Sequence, residues 1–294
     1  MNEYEVDKPR VRRAFDRAAA TYVQYAKLQA LVREEMLERL QGVKIEPQVV
    51  VDLGCGPGAA VRVLRERYPR ARVLGLDFSS GMLQEARRFR PWIRKPLWVC
   101  GDMERLPLAD ASVDLLFSSL SVQWGNDLGQ TFAEARRVLK PGGVFVFSSL
   151  GPDTLKELRA AWQRADASQH AHVNMFYDMH DVGDALLRVG MRDPVMDVER
   201  MTLHYADVES IMRSLKGIGA QNSLRGRAQG LTAKSRLQAV RDAYELRRNG
   251  DGLLPVTYEV VYGLAWGGEA GRFYANAEGE VKVPLHSLLR RGKR

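Results

Sequence analysis

The chain has 294 residues, 45% of them hydrophobic and 27% charged, with a formal net charge of +8, which is enough apolar residue for a full core in one large domain or one domain with an insertion. No apolar run approaches a membrane span, the charged segment 1–13 lacks the apolar core of a signal peptide, and two cysteines, Cys55 and Cys100, are too few for a disulfide framework. A cytoplasmic protein with reduced thiols is therefore expected, and its basic surface favours an acidic partner, either nucleic acid or an acidic carrier protein.

Residues 10–41 carry Val11, Phe15, Ala18 and Tyr22, then Leu28, Leu31, Val32, Met36 and Leu40, at helical spacing. The pattern predicts two helices broken near residues 22–26. A β-branched run from Val49 then ends in Asp52-Leu53-Gly54-Cys55-Gly56-Pro57-Gly58, and the apolar run 59–64 follows. This reads as a buried strand, a tight turn and a helix start. Gly54, Gly56 and Gly58 lack a Cβ, so the backbone can take positive φ and a ligand can approach closely. The spacing is G-x-G-x-G rather than the G-x-G-x-x-G of a dinucleotide site, and Pro57 removes a donor that a diphosphate cradle would use. The loop suits a nucleoside with a compact, uncharged or cationic tail, a description that S-adenosylmethionine fits.

A second strand, 72–76, ends at Asp77-Phe78, where a carboxylate can accept both hydroxyls of a ribose. A third, 97–100, ends at Gly101-Asp102-Met103, where a carboxylate can accept an adenine amino group while the methionine packs on the ring. A fourth, 113–117, runs into Ser118-Ser119-Leu120, and Lys140-Pro141-Gly142-Gly143 opens a fifth, 144–149. Alternating strands and helices from 49 to 150 predict a parallel, doubly wound sheet whose strand ends face one crevice. Beyond 150 the pattern changes. Segments 153–165 and 178–189 read as helices, 195–205 as a strand, 207–215 and 232–248 as helices, and 255–266 as the last strand. The glycine-rich, basic stretch 216–230 reads as a mobile linker. The five histidines are scattered, no Cys/His cluster has metal spacing, and no metal is expected.

Segment 52–58 resembles motif I of class I S-adenosylmethionine-dependent methyltransferases. Further segments are distinctive as a set: Arg12-Arg13-Ala14-Phe15-Asp16-Arg17-Ala18-Ala19-Ala20-Thr21-Tyr22, Ser119-Leu120-Ser121-Val122-Gln123-Trp124, Phe147 to Leu158, His172-Val173-Asn174-Met175-Phe176-Tyr177-Asp178-Met179-His180-Asp181, and Leu215 to Asn222. Over about residues 8–266 the chain closely resembles the malonyl-acyl-carrier-protein O-methyltransferases of biotin synthesis. The resemblance implies an α/β, Rossmann-like, doubly wound and mostly parallel seven-stranded sheet with an antiparallel last strand. It implies N-terminal helices over 1–45 and a methyltransferase domain over 46–268 with a helical lid insertion at about 206–253, while the polar composition of 269–294 predicts a loosely ordered basic tail.

The implied reaction is methyl transfer from S-adenosylmethionine to the free carboxylate of a malonyl thioester on acyl-carrier protein. That carboxylate is ionised at neutral pH, so no general base is needed and orientation supplies most of the acceleration. The cofactor-binding set is then Asp52, Gly54, Gly56, Gly58, Asp77, Phe78, Asp102, Met103 and Ser118. Tyr22 and Phe15 lie at the helix break, where the chain can fold over the methyl donor. Gln123, Trp124 and His180 are expected to line the acyl pocket, with Gln123 donating to the carboxylate and His180 holding it electrostatically. Lys216, Arg225 and Arg227, with Lys234 and Arg236, form a basic stretch suited to docking the carrier protein. A monomer without nucleic-acid or membrane partners is expected. Two alternatives stay open: a small-molecule methyltransferase of the quinone-precursor type, and a methyltransferase-like assembly factor. An amino-directed enzyme is disfavoured, because the fourth strand is followed by Ser118-Ser119-Leu120-Ser121 rather than a proline-rich segment.

Overall fold

A computed structural model describes residues 5–166, 171–227, 230 and 232–268, and the backbone of 274–275 and 281–282. The basic tail expected over 269–294 otherwise lies outside the described residues.

Seven strands form one sheet: β1 (Val49–Leu53), β2 (Arg72–Asp77), β3 (Leu97–Cys100), β4 (Val113–Ser118), β5 (Leu139–Leu150), β6 (Arg192–Tyr205) and β7 (Leu254–Trp266). Their order is β3-β2-β1-β4-β5-β7-β6. The first five are parallel, whereas β7 runs antiparallel between β5 and β6. β1 is flanked on both edges and both faces, which is why it reads as an unbroken apolar run. Successive side chains point to opposite faces. Val50, Phe117 and Val146 accordingly join one helical layer, and Val51, Leu116 and Phe147 join the other. The first layer includes α3 (Lys27–Arg39), α4 (Ala59–Arg67) and α7 (Lys156–Ala165), and the second includes α6 (Leu128–Val138) and α8 (Met179–Arg188).

The N-terminal helices cross the ends of the parallel strands. α1 (Lys8–Ala18) begins at Asp7, whose side chain accepts from Arg10 N–H at 3.0 Å. Its Asp16 Oδ1 accepts from Ser79 Oγ (2.6 Å) and Gly81 N–H (2.8 Å), fastening α1 onto the start of α5 (Ser80–Ala86). The predicted break is itself a single helical turn, α2 (Tyr22–Tyr25). Between β6 and β7 lie α9 (Val208–Gly217) and α10 (Lys234–Glu245), the latter packed along α7.

The structure corrects the reading of 216–230 as a mobile linker. Val6 pairs with Leu224 in an antiparallel bridge, Asp7 N–H donates to Ser223 O at 2.8 Å, and Arg225 N–H donates to Glu5 O at 3.0 Å. Ser223 and Leu224 are buried. The described part of this segment is a packed wall held by the N-terminal arm.

Candidate active site

The glycine loop closes onto the end of β2. Gly54 and Cys55 N–H groups donate to Leu76 O at 2.7 and 3.0 Å, and Gly56 N–H donates to Asp77 Oδ2 at 2.8 Å. Asp77 Oδ1 accepts from Ser79 N–H at 2.8 Å. Each oxygen keeps a lone pair after these bonds, so the carboxylate can still accept from a diol. Gly54 has φ 74°, and a Cβ there would stand 2.3 Å from the Ser121 side chain, so only glycine fits.

Asp77 is 7% exposed and its carboxyl is raised to about 6. Burial is the main cause, opposed by the Ser79 and Gly56 amides and reinforced by Asp16. Asp52, on the neighbouring strand, is 2% exposed, and Oδ2 has no hydrogen-bond partner among the described residues. Burial, and then the charge of Asp77, raise it to about 8, against the pull of Arg33 on α3. Two buried acids on adjoining strands, with one oxygen unanswered, make a site that favours a cationic ligand.

Two cavities meet here. A loop cavity of about 60 Å³ is lined by Gly54, Gly56, Asp77, Phe78, Asp102 and Met103, together with Ser119 and Ser121. A wider cavity of about 330 Å³ is lined by residues of α3, α7 and α9, by Gln123, and by loop residues 172–174, 176 and 220–222. Phe15, Tyr22, Leu120 and Trp124 line both and form the neck between them. Phe15 meets Phe78 edge-on at 6.1 Å and Trp124 at 5.2 Å. The Tyr22 hydroxyl is pushed well above its ordinary range by burial and then by the charge of Asp77, so it stays a neutral donor. Leu120 holds φ 48°, an unfavourable conformation for a branched residue, while its N–H donates to Ser148 Oγ at 2.9 Å. Backbone strain thus sits at the neck.

Several sequence-predicted residues stand elsewhere. Asp52, Gly58 and Ser118 lie behind the loop cavity rather than on its wall. Ser118 Oγ is 2.7 Å from Ser121 Oγ, so it positions Ser121, and a Cβ on Gly58 would meet the Trp98 ring at 2.5 Å. Asp102 reaches the cavity but is shared with Lys8 Nζ, which donates to its two oxygens at 2.8 and 2.7 Å. Gln123 lines the wide cavity, yet its Nε2 donates to Leu120 O at 2.8 Å. The buried atom without a partner among the described residues is Oε1, an acceptor, which corrects its expected role as a carboxylate donor. His180 is a further correction. Its side chain is 85% exposed and lines neither cavity. Asp178 caps α8 by accepting from His180 N–H at 2.7 Å, which leaves the ring on the outer first turn. Lys216 lines the wide cavity, whereas Arg225 and Arg227 sit outside it, Arg225 paired with Glu5 at 3.1 Å. Lys234 stands at the start of α10, outside both cavities.

The structure also brings in residues that the motifs did not single out as contacts. Gln29 of α3 lines the wide cavity with a buried Oε1 that has no partner among the described residues, and Ser119 Oγ is in the same state in the loop cavity. His172 lines the wide cavity too. Among the described residues lining that cavity there is no Asp or Glu.

Comparison with known proteins agrees with this geometry. Residues 51–147 match the methyltransferase domain family. A malonyl-acyl-carrier-protein O-methyltransferase from Methylovorus sp. (strain MP688) is 52% identical over 269 residues, covering 90% of this chain and 90% of that protein. One from Halorhodospira halophila is 45% identical, with 97% of each chain covered. The chain belongs to the malonyl-acyl-carrier-protein O-methyltransferase family. This methyltransferase uses S-adenosylmethionine as its methyl donor. The same fold occurs in the crystal structure of a putative methyltransferase from Bacillus halodurans, with a TM-score of 0.56 at 16% identity, covering 81% of this chain and 99% of that one. The loop cavity of this O-methyltransferase fits the donor on its own evidence: a diol-competent carboxylate, a loop that admits only glycine at 54, and buried acids suited to a sulfonium.

Proposed function

We propose that the enzyme methylates the free carboxylate of malonyl-acyl-carrier protein, forming a methyl ester that masks a charge early in the pimeloyl branch of biotin synthesis. The observation that carries this reading is the wide cavity, with no Asp or Glu among its described lining residues, joined to the donor cavity through a largely apolar neck. An anionic acyl group can enter such a cavity without meeting a like charge.

When bound, S-adenosylmethionine supplies an electrophilic methyl on a sulfonium. Asp77 would accept from the ribose of the donor and Asp102, Met103 and Phe78 would hold its adenine, while Asp52 lies behind the loop. Phe15, Tyr22, Leu120 and Trp124 exclude water from the neck and aim one substrate oxygen through it. The carboxylate is already the nucleophile, so none of these residues removes a proton. The orphaned Gln29 and Gln123 oxygens suit N–H donors, which the two amides of a phosphopantetheine arm provide. The carrier protein docks on Lys216, Arg225 and Arg227. Arg227 adjoins Arg10 of α1, whose pKa is lowered first by burial and next by the charge of Arg227. The segment from α9 to α10 acts as a lid, and the enzyme works as a cytoplasmic monomer with no nucleic-acid or membrane partner.

A methyl-transfer assay comparing malonyl-carrier protein with malonyl-CoA tests the substrate. A lower KM for the carrier-bound form is expected. Equal use of both would remove the docking role, and use of neither would remove the reading.

A further inference from the structure

The wide cavity contains a braced imidazole that the reaction scheme above does not use. His172 is largely buried, with its side chain 17% exposed, and its ring lies flat on Trp162 of α7, with centroids 4.0 Å apart and planes 8° apart. Both rings line the cavity. His172 Nε2 is 2.8 Å from Asp166 Oδ2, and that carboxylate, whose side chain is 4% exposed, is also 3.3 Å from Arg236 NH1 on α10. Asp166 follows the last residue of α7 and accepts the N–H bond that sets the ring plane. With Nε2–H given to Asp166, Nδ1 is the ring nitrogen left for a ligand.

We propose that His172, pinned by Asp166 and Trp162, is the residue that binds the free carboxylate of the acyl substrate. The proposal rests on the malonyl-carrier reading above. A substrate carboxylate at Nδ1 places the imidazole between two acids, each able to accept from one ring nitrogen. The flat Trp162 face fixes the plane of the ring. Lys216 also lines the cavity, but it is exposed and on a long flexible stem. His172 is the rigid member of the pair and so sets where the acid sits. Such a site distinguishes reactant from product, because methylation removes the charge that the imidazole holds. Arg236 ties Asp166 to α10, so the segment between β6 and β7 supports the ring it covers.

His172→Gln keeps a polar side chain of similar reach and loses the imidazole. It is expected to raise KM for malonyl-carrier protein at least tenfold, leave affinity for S-adenosylmethionine unchanged, and leave inhibition by the methyl-ester product unchanged. Asp166→Asn should move KM in the same direction by a smaller factor. An equal loss for acid and ester would assign the ring a purely structural role. Imidazole NMR on the full-length, 15N-histidine-labelled enzyme with S-adenosylhomocysteine gives a second readout that needs no turnover. The His172 signals, assigned by their absence in the variant, should move on titration with free malonate and stay in place with dimethyl malonate. Movement with both probes, or with neither, overturns the proposal even if the wild-type enzyme methylates malonyl-carrier protein. Movement with malonate alone upholds it even if the carrier reading fails.

Discussion

A buried carboxylate opposes folding unless something answers its charge, and Asp52 and Asp77 place two of them on adjoining strands. Their native values, about 8 and about 6, lie above the ordinary carboxylate range, so the native state keeps protons that the unfolded chain has released. Stability from this source is full below the ordinary carboxylate range and falls as pH rises through about 6 and then about 8. The melting temperature of the ligand-free enzyme should therefore decline with pH across that window, and Asp52→Asn should flatten the upper part of the decline. A melting temperature that climbs over the same range would contradict the burial argument. The same ionisations should tighten binding of the cationic donor as pH rises. Asp77→Ala should weaken S-adenosylmethionine by about 2–3 kcal/mol in calorimetry, and an affinity within about twofold of wild type would remove the ribose assignment. Asp77, Gly54 and Gly56 were legible in the sequence because a strand end and a glycine loop are local patterns. His172 was not separable from His180, because both lie in one segment and only the cap at Asp178 decides which ring faces out. A usable signal was present nearby: Trp162 lies in the last turn of the predicted helix 153–165, and Asp166 directly follows it.

At the level of elements, the antiparallel pairing of β5 and β7 brings Phe147 opposite Gly263. A Cβ on Gly263 would stand 2.2 Å from the Phe147 ring, which is itself stacked on Phe145 at 4.7 Å. Gly263→Ala should therefore destabilise the fold by about 1–3 kcal/mol through overpacking, read as a lower denaturation midpoint with an unchanged slope. A midpoint equal to wild type would mean that the strand pair yields more easily than this packing implies. The strand order and its reversal at β7 follow the expected architecture, since alternating strands and helices admit few topologies. Boundaries were less legible. β5 begins at Leu139 rather than Val144, because Leu139 pairs with Val113 ahead of an irregularity that the Pro-Gly-Gly run disguises as a turn. The stretch after α9 was misread for a different reason. Its glycines and cations describe a solvated linker locally, whereas its order comes from residues 5–7, more than 200 positions away in the chain.

Across the whole molecule the formal net charge is +8, and several of its cations border the site. Arg12, Arg13 and Arg17 are exposed on α1, and Arg12, Arg13 and Lys8 border an open cleft beside Asp102 and Cys100. Arg225 and Arg227 stand on the turn that the N-terminal arm holds against this helix. Charge complementarity of this kind acts mainly on encounter rate and selectivity. Reversing both charges, Arg225→Glu with Arg227→Glu, should raise KM for malonyl-carrier protein several-fold, spare malonyl-CoA, and remove most of the salt dependence of the carrier reaction. Equal effects on the two substrates would move the docking surface elsewhere. Among the described residues no helix is long and apolar enough to cross a membrane. The central claim, methyl transfer to a free acyl carboxylate on a carrier protein, is tested most directly by labelled methyl transfer from S-adenosylmethionine to malonyl- and acetyl-carrier protein side by side. The account predicts base-labile label on the malonyl form and none on the acetyl form, which has no free carboxylate. Label on both, or on neither, would contradict it.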